Sequence, residues 1–179
     1  FVAQLDFDLD SVTRESIEKN AELLATVSRE RVRDEFSKLL MTDFPMRGLV
    51  LMKETGLMEH VVPELLRGVG VTQNQAHMYD VWEHNLRTLQ HAADKKWPLH
   101  VRLSAIFHDI SKPETRRYSK EKNDYTFYGH DVVGGRVTRE IMERLKFPKD
   151  LTDQVSMFVR WHMFFSDTEQ ITLSAVRRL

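Results

Sequence analysis

Four histidines in this chain of 179 residues stand where helical spacing turns them inward: His84, His108, His130 and His162. In "DVWEHNLRTLQ", His84 shares a stripe with Val81 and Thr88. In "VRLSAIFHD", His108 follows Val101 and Ala105 at spacings of seven and three, and in "LTDQVSMFVRWHM" His162 continues Leu151, Val155 and Phe158. His130 lies just ahead of a helix that the pattern starts at Asp131. Asp109 stands beside His108 at the end of an otherwise apolar run. Burying such groups is costly unless a partner or a cation replaces the lost water. Taken singly, each histidine reads as a hydrogen-bonded core residue. Taken together, four imidazoles and one carboxylate are the nitrogen and oxygen ligands that a divalent metal accepts, and a helical bundle can converge them on one point. Mn, Ni, Co, Mg, Fe and Zn all suit such a set. His60, His91 and His100 read as surface residues, and His77 is left open.

Lys112 follows His108 by about one helical turn. Its ammonium is placed to reach an anion at the metal, with Arg116 and Arg117 close behind. Metal plus ammonium suits a phosphate ester, because both hold charge that develops on phosphoryl oxygens. On its own, Lys112 reads equally as a cation favoured by a helix C-terminus.

The elements that must position these residues read as all-α. Asp10 or Ser11 caps a helix through about Thr26, Ser28 opens "RERVRDEFSKLLM", and Pro45 starts a third helix that Gly56 closes. The segment "LMEHVVPELL" follows, and "RGVGVTQNQ" is the candidate linker between residues 1–66 and 67–179. Helices are expected at 80–94, 99–110, 131–146 and 150–163, with another from near Thr172; Pro113 is expected to stop the second of them. The polar stretch 116–129 reads as a loop or short hairpin, and no internal repeat is evident.

Composition narrows the class. The hydrophobic fraction of 41% and charged fraction of 30% are ordinary for a globular protein. The sequence has no stretch of the roughly 20 apolar residues that a membrane span needs, and the absence of cysteine excludes disulfides and thiolate sites. A reducing compartment, the cytoplasm, is the expected location. The net charge of −1 conceals a split: residues 1–66 hold 8 Lys/Arg against 13 Asp/Glu, a net of −5, and residues 67–179 hold 18 against 14, a net of +4. Any polyanion must therefore meet a local patch. Arg29, Arg31 and Arg33 on the exposed side of the second helix are candidates, as are Arg116 and Arg117. The start lacks an initiator Met and the end stops on a helical pattern, which reads as a piece of a longer protein.

The series "EHNL", "FHDISKP", "FYGHD" and "RWHM" resembles the HD superfamily of metal-dependent phosphohydrolases. Residues 28–65 resemble the helical RNA-binding neck of the tRNA nucleotidyltransferase and poly(A) polymerase family, and the stretch from Gly70 to Leu89 resembles the junction into its HD domain. The resemblance implies His84, His108 and Asp109 as metal ligands, with His130 and His162 extending the site toward a second ion. It implies that Lys112 contacts phosphate, with Asp109 and Lys112 as the catalytic pair. It also implies a preceding nucleotidyltransferase head, outside this sequence, that modifies RNA or tRNA 3′ ends. The HD part would then hydrolyse phosphoesters of nucleotides or RNA ends. One departure stands out: Leu173 occupies the position where relatives often carry an Asp, and Asp167 lies six residues earlier. A degenerate HD domain serving as an RNA-docking extension is the alternative that this departure motivates.

Overall fold

In the computed structural model, residues 1–74 and 78–164 are described; His77, Asp167, Leu173 and the helix expected from Thr172 lie outside them. The described chain is helical apart from one two-stranded ribbon. The first part comprises α1 (Val2–Leu5), α2 (Ser11–Asn20), a 3₁₀ segment (Ala21–Thr26), α3 (Arg29–Leu40), α4 (Pro45–Glu54), α5 (Met58–Val61) and α6 (Pro63–Leu66). Asp10 caps α2 by accepting from the Thr13 amide at 3.1 Å. The helix expected to run to Thr26 is α-helical only to Asn20, whose backbone leaves the helical region at ψ 7°. Pro63 divides the following segment into α5 and α6, with Val62 moved out of the helical region ahead of it, at φ −139° and ψ 73°.

Two helix hairpins make up the second part. The first joins α7 (Val81–Asp94) to α8 (Leu99–Phe107), and the second joins α10 (His130–Arg144) to α11 (Lys149–Trp161). Between the hairpins run α9 (Lys112–Thr115) and the ribbon β1 (Arg117–Ser119) and β2 (Asp124–Thr126), with Tyr118 opposite Tyr125. So 116–129 does contain a short hairpin. The α8 helix ends three residues earlier than expected. The Ile110 amide turns back to the Phe107 carbonyl and the Lys112 amide to that of Asp109, so the helical ladder stops before Pro113, which opens α9 instead.

The two helix hairpins turn in the same way. Lys96 and Lys146 are both left-handed, at φ 56° and 61°. The next amides reach back over the same interval, Trp97 to the Ala92 carbonyl (3.0 Å) and Phe147 to that of Met142 (2.9 Å). Each is a Schellman cap with lysine where glycine is usual, followed by a proline that opens the return helix. This local repeat of Lys–aromatic–Pro, at 96–98 and 146–148, was not expected from the sequence.

The turn ends of both hairpins rest on the first part. Arg102, only 2% exposed, sends its guanidinium to the carbonyls of Leu40 and Thr42 (2.8 Å each) and of Trp97 (2.8 Å). The α3 helix ends at Leu40, where a cation is favoured by the dipole. On the other hairpin, Arg144 grips Glu64 through both nitrogens at 2.6 and 2.8 Å. One apolar core runs through both parts, from Val32, Phe36, Leu40 and Leu49 to Leu86, Leu103, Ile106, Phe107, Ile141 and Val159. Each such residue is worth about 1.5–3 kcal/mol when fully buried. The expected linker is packed too: Gly68 lies so close to α7 that an added Cβ would stand 3.0 Å from the Trp82 nitrogen.

Candidate metal centre

The open ends of the hairpins, away from the turns, carry the four inward histidines. His84 lies in the first turn of α7 and His130 is the first residue of α10, while His108 and His162 are the C-caps of α8 and α11. An antiparallel pair brings its first and last turns together, so each hairpin presents one histidine pair. Close approach in the second depends on Gly134 and Gly135: a Cβ on Gly135 would meet the Arg160 Cβ at 3.0 Å and the Ser156 carbonyl at 3.2 Å.

The pairs face one another through Asp109, which is 2% exposed. Its Oδ2 lies 3.2 Å from Nε2 of both His84 and His108. Its Oδ1 lies 3.3 Å from Nε2 of His130 and 3.6 Å from that of His162. Among the described residues this yields two sets whose ligand atoms lie within 4.8 Å of one another: His84, His108 and Asp109, and Asp109, His130 and His162.

The tautomers follow from backbone partners. Nδ1 of His108, His130 and His162 lies 2.7–2.8 Å from the carbonyl of the residue three before it, so each Nδ1–H donates. In the neutral rings, Nε2 then carries a lone pair directed inward. Nε2 of His84 and His108 are 3.0 Å apart, where an Nε2–H of His84 can donate to His108, but Nε2 of His130 and His162 are 3.2 Å apart with both lone pairs turned inward. Converging lone pairs repel unless a proton or a metal cation lies between them. Backbone-oriented imidazoles and an ionised carboxylate are what a nitrogen- and oxygen-preferring divalent ion requires, so the donor set fits a metal. Burial alone would raise the Asp109 carboxyl. The charge and hydrogen bond of His108, with the bonds of His130 and His162, outweigh it and hold the group well below the usual carboxylate range.

Lys112 is buried beside this centre, its Nζ 2.7 Å from Asp109 Oδ2 and donating to Gln73 Oε1 at 2.7 Å. Gln73 is a residue the sequence reading missed; its only signal was a polar side chain in the segment leading to α7. The candidate RNA-contacting arginines do not gather. Arg29 donates to the His60 carbonyl at 3.0 Å, and Arg33 to the Lys146 carbonyl and to Asp34. Arg31 is exposed. Arg116 lies 3.4 Å over the Tyr125 ring and donates to Thr72 Oγ1, and Arg117 turns to the carbonyls of Glu114 and Arg116. Of the histidines read as surface residues, His91 is exposed, whereas His60 and His100 are half-buried.

Comparison with known proteins gives two family matches along the chain. Residues 81–177 match the HD domain model, and residues 6–68 match the model described as a probable RNA and SrmB-binding site of polymerase A. A CC-adding tRNA nucleotidyltransferase of Thermus thermophilus is 37% identical over 90% of the chain. An A-adding tRNA nucleotidyltransferase of Deinococcus radiodurans is 32% identical over 91%, and a multifunctional CCA protein of Neisseria meningitidis is 32% identical over 96%. The chain spans only 39–41% of the length of these relatives. No described helix is long and apolar enough to cross a membrane.

Proposed function

Because the chain belongs to the HD-domain family and its relatives are tRNA nucleotidyltransferases, we propose that residues 1–66 are the neck and 67–179 the HD domain of such an enzyme, and that the HD domain hydrolyses phosphoesters of nucleotides or RNA ends, 2′,3′-cyclic phosphates included. The intact protein would carry an N-terminal nucleotidyltransferase head, act on RNA or tRNA 3′ ends and reside in the cytoplasm. The observation that carries the hydrolase reading is the single buried carboxylate shared by two oriented histidine pairs.

His84, His108 and Asp109 would hold one divalent ion, and Asp109, His130 and His162 a second. A bound ion there supplies Lewis acidity toward a phosphoryl oxygen and lowers the pKa of water at the site. Asp109 stays ionised at neutral pH and so keeps its charge for ligation. Its neighbour Lys112 has three donors; Asp109 and Gln73 take two, and the third serves a phosphoryl oxygen. The backbone-tied histidines, His130 buried and His108 and His162 half-buried, keep this geometry without reorganisation. Incubation with Mn²⁺, Ni²⁺, Co²⁺ or Mg²⁺ and a 2′,3′-cyclic nucleotide tests the reading. Turnover that His108→Ala abolishes is expected; no turnover with any of these ions would sink it.

A second reading, an inactive HD domain extending an RNA-docking surface, is favoured by the RNA-binding model matched at 6–68 and by the exposed Arg31. Its mark would be tRNA binding that weakens steeply with salt, with no metal in the purified protein.

A further inference from the structure

The ribbon β1–β2 leaves the candidate centre at Lys112 and returns to it at His130, so its base is built into the site. The Phe127 carbonyl accepts from His130 Nδ1 at 2.7 Å, and the Lys112 ammonium lies 5.5 Å from the Phe127 ring centroid. Three of the four tyrosines of the chain lie on this short segment, at 118, 125 and 128. They form a backed ledge rather than a core. Arg116 stacks on Tyr125, and Tyr125 meets the opposite Tyr118 edge-on at 5.5 Å. Tyr118 and Tyr128 remain 55% and 75% exposed. Tyr118 is fixed by donating to Asn123 Oδ1 at 2.6 Å, and the Lys122 ammonium donates to the Tyr128 hydroxyl at 2.9 Å. Between 116 and 129 there are four Lys/Arg against two Asp/Glu, a net of +2 in a chain whose first 66 residues carry −5.

Aromatic faces held rigid beside cations are the means by which proteins grip an unpaired base without reading its sequence. We propose that this ribbon is a nucleobase platform, on which a base stacks against Tyr118 or Tyr128 while its own phosphate enters the His/Asp centre. The platform accordingly favours phosphates that carry a base over those that carry none. The proposal rests on the hydrolase reading only for where the phosphate goes.

Calorimetric titration of the full chain, with Mg²⁺ and again with chelator, separates the two ideas. The probes are adenosine 3′-monophosphate, a short single-stranded RNA with a 3′-phosphate, and inorganic phosphate, which has no base. Tyr118→Ala and Tyr128→Ala together are expected to weaken the nucleotide and the RNA roughly fivefold or more, while inorganic phosphate shifts less than about twofold. The two Phe variants should retain affinity. Base-dependent binding without turnover of any ester would leave the platform standing and remove the hydrolase. Equal weakening of phosphate and nucleotide, unchanged nucleotide affinity in the Ala variants, or no nucleotide binding up to about 1 mM, the upper end of common substrate affinities, would each overturn the platform.

Discussion

The two helix hairpins differ in the residue next to their last histidine. After His108 comes Asp109, nearly inaccessible; after His162 comes Met163, 45% exposed. The folds of the two arms are otherwise alike, with the same lysine-centred cap and the same histidine tied to the carbonyl three residues back. A symmetric scaffold therefore holds an asymmetric site, in which one hairpin lends its carboxylate to both. Repetition of backbone geometry supplies the imidazoles, and a single side chain joins them.

The strongest way to break that relation is at Asp109. Asp109→Asn should remove metal from both histidine pairs, whereas His162→Ala should leave about half the metal content of the parent, read by elemental analysis after dialysis. The Asn variant also strands the Lys112 ammonium in the interior. Loss of one partner of a buried pair costs about 3–5 kcal/mol, to be seen in urea unfolding. Equal metal loss in the two variants would argue against a shared carboxylate.

Next comes the way each hairpin is fastened to the first part. Arg102→Met should destabilise by about 2–4 kcal/mol, because the buried carbonyl of Leu40 and the half-buried one of Thr42 lose a charged donor. The second hairpin is fastened more weakly. Its Arg144 is 38% exposed and screened, so Arg144→Ala should cost about 1 kcal/mol or less.

That weaker tie has a pH signature. Burial, the largest single influence, would raise the Glu64 carboxyl, but the Arg144 hydrogen bonds and charge, a backbone hydrogen bond and the charge of Arg67 together outweigh it, so the folded value lies below the unfolded one. Ionised Glu64 thus favours the folded state above the ordinary carboxylate pKa, and that contribution disappears as pH falls through the depressed value. Glu64→Gln should flatten this part of the acid-side stability curve; an unchanged slope would show that the pair contributes nothing.

The smallest effect tests the likeness of the turns. Lys146→Gly relieves a left-handed lysine and should stabilise by up to about 1 kcal/mol. Lys96→Gly should gain less, because Lys96 also pairs with Asp43. Paired melting curves of the two variants decide this.

The histidines and Asp109 were legible because a 3.6-residue period and a few caps say which side chains face inward. The architecture that joins them was not. The twin caps escaped notice because a C′ position is ordinarily sought by its glycine, and here it holds lysine. Gln73, Arg102 and the destinations of Arg29 and Arg33 depend on partners distant in sequence, which spacing along one helix cannot reveal. The end of α8 at Phe107 was missed because Pro113 was the visible breaker, whereas the turn tightens ahead of it.

From His84 to Lys96 is 12 residues and from His130 to Lys146 is 16; from Pro98 to His108 is 10 and from Pro148 to His162 is 14. Both arms of the second hairpin are thus longer by four, close to a whole turn and about 6 Å of axis. Growth by four residues keeps the azimuth of the terminal rings to within about 40° while moving the far end outward. Insertions of one or two residues, by contrast, would swing one ring away by roughly 100° per residue. The scaffold therefore tolerates lengthening like a threaded rod, in full pitches only, and the same count must be added to both arms.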